Sequence, residues 1–245
     1  MSFDLLAPHY RWMEAVLAGN KLQQCRVHWL DSVRDCRRVL LVGEGNGRFL
    51  EACAKAMPLA QFTVVDASIE MLRQAERRWT NAGGNSNRAK FVQATLPGLN
   101  LPKESFDLVV TNCFLDCFTP EQLEQVVAEI AACTTDSAVW IVTDFAVPQR
   151  GFAKWRAKAV LRAAYMFFRL TTRITALEIC PPDASLTAAG FELKGRHEAD
   201  AGLIYSAKWQ RTKRLPRAKH TEAHRHDDNR DTPHEFPKAT ADLRA

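Results

Sequence analysis

The chain is 245 residues long, 47% hydrophobic, with a formal net charge of +5. One domain of about 200 residues plus a tail fits that length, and a second full domain does not. Residues 211–245 hold nine Lys/Arg and six Asp/Glu, so +3 of the charge sits in the tail. The body is close to neutral and supplies no global field for nucleic acid.

The seven cysteines are odd in number and scattered (Cys25, Cys36, Cys53, Cys113, Cys117, Cys133, Cys180), which favours a reducing compartment. Cys113 and Cys117 are close, but no second pair or nearby histidine completes a ligand set, so no metal is expected. The opening MSFDLLAPHYRWME has neither a basic leader nor an apolar core, and no uncharged run is long enough to span a bilayer. A soluble, cytoplasmic protein is the expectation.

In chain order, helical patterns over Phe3–Ala18 and Lys21–Ser32 make residues 1–37 an N-terminal lid or flank. Strand and helix then alternate: Val39–Gly43, Arg48–Met57, Gln61–Asp66, Ile69–Asn81, a short strand Lys90–Ala94 and the β-rich run Phe106–Asn112. Thr119 and Pro120 suit the N-cap and first turn of a helix running to Cys133, and Ala138–Asp144 is a fifth strand. Such alternation implies a parallel sheet wrapped by helices.

Beyond it the pattern changes. Gly151–Thr175 is a basic, aromatic helical stretch, then Phe191–His197 and Leu203–Gln210 predict two strands in an antiparallel ending. Residues 211–245 are polar, proline-dotted and aperiodic, and predict a disordered tail whose four histidines are a solvated feature.

Chemistry concentrates in VLLVGEGNGRFLEA, residues 39–52. Glycines 43, 45 and 47 after a buried strand allow a tight turn and bring backbone amides to a ligand at the next helix. A dinucleotide loop wants a small residue where this chain has Arg48, and Glu44 would repel a pyrophosphate while attracting a cation. That counts against a nicotinamide-dependent oxidoreductase. Asp66 ends the second strand nineteen residues after Gly47, where a carboxylate can accept both hydroxyls of a ribose. Capping the following helix is the competing role for Asp66, although Ser68 is better placed for it.

Together these residues resemble the class I S-adenosylmethionine-dependent methyltransferases. Glu44, Gly45 and Gly47 match the family's acidic-x-Gly-x-Gly loop, Asp66 its acidic end of strand two, and Ser68, Met71 and Leu72 the S-x-x-M-L that often follows. SFDLVVTN (105–112) looks like the fourth strand. The resemblance implies an α/β, Rossmann-like, seven-stranded, mostly parallel sheet with helices on both faces and a reversed last strand, over residues 38–210. It implies S-adenosyl-L-methionine as cofactor, held by Gly43, Glu44, Gly45, Gly47, Asp66, Ala67, Met71, Thr95, Leu96 and Asn112. Many relatives have Gly-Asp-Ala after strand three. Here Ala94, Thr95 and Leu96 stand there, so a hydroxyl replaces a carboxylate, with Gln93 as a possible helper. FDLLAPHYRWM also resembles the start of ubiquinone/menaquinone-biosynthesis C-methyltransferases, which nominates Tyr10 for the cofactor. Arg11 replaces the usual Asp after that tyrosine, so the substrate does not carry over.

A sulfonium carries its own leaving group, so transfer needs an in-line nucleophile and exclusion of water, with a base only where the acceptor must lose a proton. His9, Asp116 and Asp144 are the candidate bases, and Phe114, Phe118 and Phe145 either wall off the methyl group or belong to the core. Residues 151–180 are expected to cap the substrate. Within them Lys154, Arg156, Lys158, Arg162, Arg169 and Arg173 interleave with Trp155, Val160, Leu161, Tyr165, Met166, Phe167 and Phe168, a pattern that fits a cap or a peripheral membrane contact through 151–174. Both favour a small, hydrophobic or lipid-like acceptor. Nucleic acid is disfavoured, because the aromatics look packed rather than displayed. The non-enzyme alternative is a binding or peripheral-membrane protein that keeps the fold without turnover, motivated by Thr95 and the basic helix.

Overall fold

The structure, a computed structural model, describes residues 19–148, 151, 154–162 and 179–212. Helix α1 (Gly19–Val27) and a 3-10 turn (Leu30–Val33) precede β1 (Arg38–Val42). Then follow α2 (Arg48–Ala56), β2 (Gln61–Asp66), α3 (Ile69–Asn81), β3 (Ala89–Gln93), β4 (Phe106–Asn112), a turn Leu115–Cys117, α4 (Pro120–Ala132) and β5 (Thr134–Phe145). A helical segment over 154–162, α5 (Asp183–Ala188), β6 (Phe191–Ala199) and β7 (Ile204–Arg211) complete the order. The expected helix Phe3–Ala18, residues 163–175 of the expected cap and the tail beyond 212 lie outside the described residues.

The seven strands form one sheet in the order β3-β2-β1-β4-β5-β7-β6. Every pair from β3 to β5 is parallel, and β7 runs antiparallel to both neighbours. The architecture is therefore the Rossmann-like seven-stranded sheet that the resemblance implied. The order reverses beside β1, and in open α/β sheets ligands sit at such a switch point, beyond the carboxyl ends of the strands.

Strand alternation explains the layering. Leu40, Val42, Val109, Trp140 and Val142 face one side, where Leu123, Val126, Val127 and Ile130 of α4 cover them. Val39, Leu41, Leu108, Val110 and Ile141 face the other, against Phe49, Leu50 and Cys53 of α2 and Leu72 and Trp79 of α3. Strands buried on both faces must be nearly continuous in apolar residues, as RVLLV is. Two pairs of polar side chains bond inside the sheet: Trp140 Nε1 donates to Thr111 Oγ1 at 3.1 Å, and the hydroxyls of Thr143 and Ser206 lie 2.9 Å apart. The Asp107 carboxylate accepts from the backbone N–H groups of Arg37 and Arg38, fixing the entry of β1 beside β4.

Local signals set several boundaries. Ser68 caps α3 by accepting from Met71 N, and Thr119 with Gln122 forms a capping box at α4. Helix α1 ends at Val27, earlier than the expected Ser32, and β5 begins at Thr134 rather than Ala138. Arg211 is also corrected. Assigned to the tail on polarity, it is the last residue of β7, 9% exposed, and its guanidinium donates to the carbonyl of Ala131 at the end of α4 and to Thr134 while lying over the Phe191 ring. Orphan carbonyls at a helix C-terminus are satisfied by such a cation. Among the described residues no helix is long and apolar enough to cross a membrane.

Arg211→Ala leaves those buried carbonyls without their donor. It is expected to lower unfolding free energy by about 2 kcal/mol in chemical denaturation; an unchanged midpoint would mean that water replaces the guanidinium.

Candidate active site

Beyond Val42 the chain must turn sharply to begin α2, and Gly43, Gly45 and Gly47 all adopt left-handed φ values of 69°, 68° and 84°. Side chains are unwelcome for two separate reasons. A Cβ on Gly43 would lie 2.5 Å from the Phe114 ring, and one on Gly47 would lie 2.8 Å from the Ala75 Cα. Gly47 thus provides the close packing of helix on helix that the size of Arg48 denies at the next position. Gly43 N–H donates to Val65 O, and Arg78 of α3 reaches the Asn46 carbonyl at 3.0 Å, so the loop is held from both sides.

Asp66 closes the loop. One carboxylate oxygen accepts from Gly45 N at 3.0 Å and the other from Ser68 N at 2.9 Å. These two bonds orient the carboxylate at the rim of the loop. The capping of α3 falls to Ser68, as expected.

Glu44 has a different place from the one expected. Its Oε1 accepts from Phe49 N and Leu50 N, doing for α2 what a capping side chain at Gly47 cannot. Burial pushes its carboxyl up to about 7, opposed by those two N–H donors and by the Arg26 guanidinium.

A cavity of about 750 Å³, counting its open mouth, lies over this loop. Of the nominated cofactor residues, Gly43, Gly45, Asp66, Ala67, Met71, Thr95 and Leu96 line it, whereas Glu44, Gly47 and Asn112 do not. Asn112 is buried at 6% exposure, and its Oδ1 has no hydrogen-bond partner among the described residues. Gln93 donates to the Ala67 carbonyl at 3.2 Å and braces the rim from outside. Val42, Val65, Ala94, Cys113 and Cys117 complete the wall, and individual residue types do not single them out. Their signal is position: each lies at or just past the carboxyl end of a strand or in the turn after β4. His9 and Tyr10 lie outside the described residues.

The acceptor side carries the buried charge. Phe114 and Phe118 line the cavity with rings 5.1 Å apart, edge to face, while Phe145 packs with the cluster around Leu22 and Leu203. Asp116 is 7% and Asp144 1% exposed. Burial pushes the Asp116 carboxyl up to about 6, and burial with the neighbouring Asp116 charge holds Asp144 well above the usual range. Asp144 Oδ1 accepts from Phe114 N at 3.0 Å, while its Oδ2 has no hydrogen-bond partner among the described residues. Burial makes the Cys113 and Cys117 thiols poor acids, which removes them as thiolate nucleophiles.

Two pieces from distant parts of the chain close this end. Leu22 and Cys25 of α1 pack with Ala157 and Leu161 of the segment 154–162 and with Leu203 and Ile204. Asp200, in a turn at φ 51°, binds Lys21 Nζ and Arg156 Nη2, each at 2.5 Å, and ties both pieces to the end of β6.

A family model described as a methyltransferase domain matches residues 39–137. The ribosomal RNA large subunit methyltransferase G of Pseudomonas putida is 35% identical over 95 residues, 39% of this chain and 23% of that protein, so the match spans about a quarter of that relative. Among solved structures, an O-methyltransferase family protein from Burkholderia thailandensis is similar with a TM-score of 0.63 at 16% identity, over 87% of this chain and 64% of the other. The S-adenosylmethionine-dependent methyltransferase SibL gives 0.61 at 21% identity, over 84% and 58%.

These findings correct the partner expectation, which favoured a small apolar acceptor, allowed a membrane contact through 151–174 and disfavoured nucleic acid. The named relative is a ribosomal RNA methyltransferase. The apolar side of 154–162, Ala157 and Leu161, is buried in the protein and so is not presented to lipid, and Trp155, expected to be packed, is 74% exposed. Residues 39–137 thus match a methyltransferase domain, and the seven-stranded order is the fold of the similar solved structures.

Proposed function

We propose that the chain transfers the methyl group of S-adenosylmethionine to a nucleophile of an RNA. The observation that carries the transfer reading is the cradle itself: bare backbone at Gly43 and Gly45 facing a carboxylate held by two N–H donors. Asp66 would accept the ribose hydroxyls, Met71 and Leu96 would flank the adenine, and Thr95 would offer a hydroxyl where many relatives offer a carboxylate. Glu44 would act at one remove, by fixing the start of α2. Bound there, the cofactor supplies an electrophilic methyl group on a sulfonium.

Phe114 and Phe118 would exclude water from the methyl group, and the Asp116–Asp144 pair would take the acceptor's proton. His9 and Tyr10 keep their proposed places as base and cofactor contact. The RNA reading draws on the relative's name and on the outward face of 154–162. Trp155, Lys158 and Arg162 fall on one side at helical spacing and are all exposed, an aromatic with two cations as single-stranded nucleic acid favours.

Calorimetric titration with S-adenosylmethionine, S-adenosylhomocysteine and a nicotinamide cofactor as control tests the cradle; binding of the first two alone is expected. Asp66→Ala should weaken both by roughly 30-fold, about 2 kcal/mol of charge-assisted hydrogen bonding, and unchanged affinity would remove Asp66 from the site.

Asp116→Asn separates proton transfer from folding. Because the folded carboxyl titrates near 6, above its ordinary value of 3.8, its contribution to stability is present at low pH and lost as pH rises through 6. The variant should therefore be more stable than the wild type at pH 7.5, gain nothing at pH 3.5, and lose most methyl transfer; equal pH dependence in the two proteins would refute the buried, raised carboxyl. For the acceptor, radiolabelled methyl transfer to total ribosomal RNA is expected, and Trp155→Ala with Lys158→Glu should reduce it at least tenfold without changing cofactor affinity.

A further inference from the structure

Arg26 is the residue of α1 that does not belong to its surface. It is 6% exposed, and its Nη2 reaches the Cys113 sulfur at 3.7 Å, across 87 positions of sequence. Cys113 is the first residue past β4 and stands at a left-handed φ of 51°. Its N–H donates to Thr143 O at 2.7 Å, and the following N–H, of Phe114, donates to Asp144 Oδ1. A guanidinium from the N-terminal helix thus braces a corner whose next peptide holds the Asp144 carboxylate. The other groups around Asp144 are Asp116 and Cys117 from the turn after β4, Cys113 itself, and Tyr205, its register partner on β7. Glu44, from the glycine loop, faces Arg26 as well. Arg26 is the cation among these groups.

We propose that Arg26 is a positioning residue for methyl transfer, holding the corner after β4 and keeping one negative charge on the Asp116–Asp144 pair so that the pair can receive the acceptor's proton. The base role rests on the transfer reading above, whereas the electrostatic role stands without it. Two neighbouring buried carboxyls resist ionising together, and a nearby cation favours the charge that Asp144 carries. With the guanidinium present they share a single charge and titrate as a pair. In the step itself, the acceptor's lone pair forms the bond to the methyl carbon, the carbon–sulfur bond breaks with its electrons left on sulfur as a neutral thioether, and the acceptor's proton passes to the pair's carboxylate. No other oxidant, reductant or co-reactant is needed.

The burial of Arg26 gives α1 a role beyond packing. Apart from Leu22 and Cys25 the helix buries little hydrocarbon, and its exposed end is fixed by Lys21 on Asp200. Its contribution to the site is a charge, delivered from outside the sheet.

The test is carboxyl NMR of the full chain labelled with carboxyl-enriched aspartate, titrated with S-adenosylhomocysteine bound. In Arg26→Gln the resonances assigned to the pair by Asp116→Asn and Asp144→Asn should titrate about one pH unit or more higher than in the wild type, a tenfold change in the proton equilibrium. Arg26→Lys should restore most of the difference, which a merely structural role would not produce. Should Arg26→Gln fail to fold, the wild type still decides: the Arg26 guanidinium nitrogen resonances should move with the same midpoint as the aspartates. An unshifted pair in Arg26→Gln, or guanidinium signals indifferent to that midpoint, overturns the proposal. A shifted pair sustains the electrostatic role even if no RNA is methylated, an outcome that would count against the transfer reading alone.

Discussion

The structure depends on one carboxylate. Asp66 stands where β2 ends, beside the point at which β1 releases the chain into the glycine loop, and the register Val42↔Val65 brings the two strand ends level. Through its bonds to Gly45 N and Ser68 N it ties the loop after β1 to the turn after β2. Each bond alone is worth on the order of 1 kcal/mol, more where the acceptor is charged. Their larger effect is geometric. Three successive left-handed glycines would leave a loop with many conformations, and the carboxylate selects the one in which the Gly43 and Gly45 backbone faces the cavity.

The second constraint is what to do with the charges that this arrangement buries. Glu44 is neutralised in effect by helix geometry, because the free N–H groups opening α2 point at it and the positive end of the helix dipole favours it. Asp144 is helped by the backbone at Phe114 and Cys113, and by a guanidinium that comes from a different part of the chain. The hydrogen bonds of the cofactor side thus come from within β1 to α3, with Arg26 adding a charge from α1, whereas the acceptor side is less local. It draws on α1, the segment 154–162 and the turn at Asp200.

That difference explains how much could be read from the residues. Where structure is local, the pattern suffices: Gln61–Asp66, Ile69–Asn81 and Phe106–Asn112 were delimited to the residue, because periodicity, the Ser68 cap and β-branched runs act within a few positions. The seven-stranded order came from resemblance rather than periodicity, since strand order is a long-range property. Helix α5 and the true start of β5 were missed, for DASLTA is too short to show a period and TTDS is polar at a pleated edge. Arg211 was misassigned because composition sees a cation and not the helix carbonyls that await it. For Glu44 the sequence shows a charge able to attract a cation, but not the N–H groups five and six residues on from which it accepts.

The cofactor half is fixed by backbone bonds and by glycines that tolerate no Cβ, so it has little freedom to vary. The acceptor half is closed by hydrocarbon contacts among Leu22, Ala157, Leu161 and Leu203 and by one bivalent ion pair at Asp200. With Lys21 59% and Arg156 40% exposed, that clamp is weak in water. On the reading of 154–162 as the acceptor's cover, a weakly latched cover over a rigid cradle would open for a bulky acceptor without disturbing the cofactor, and the choice of acceptor would fall to elements that the sheet does not determine.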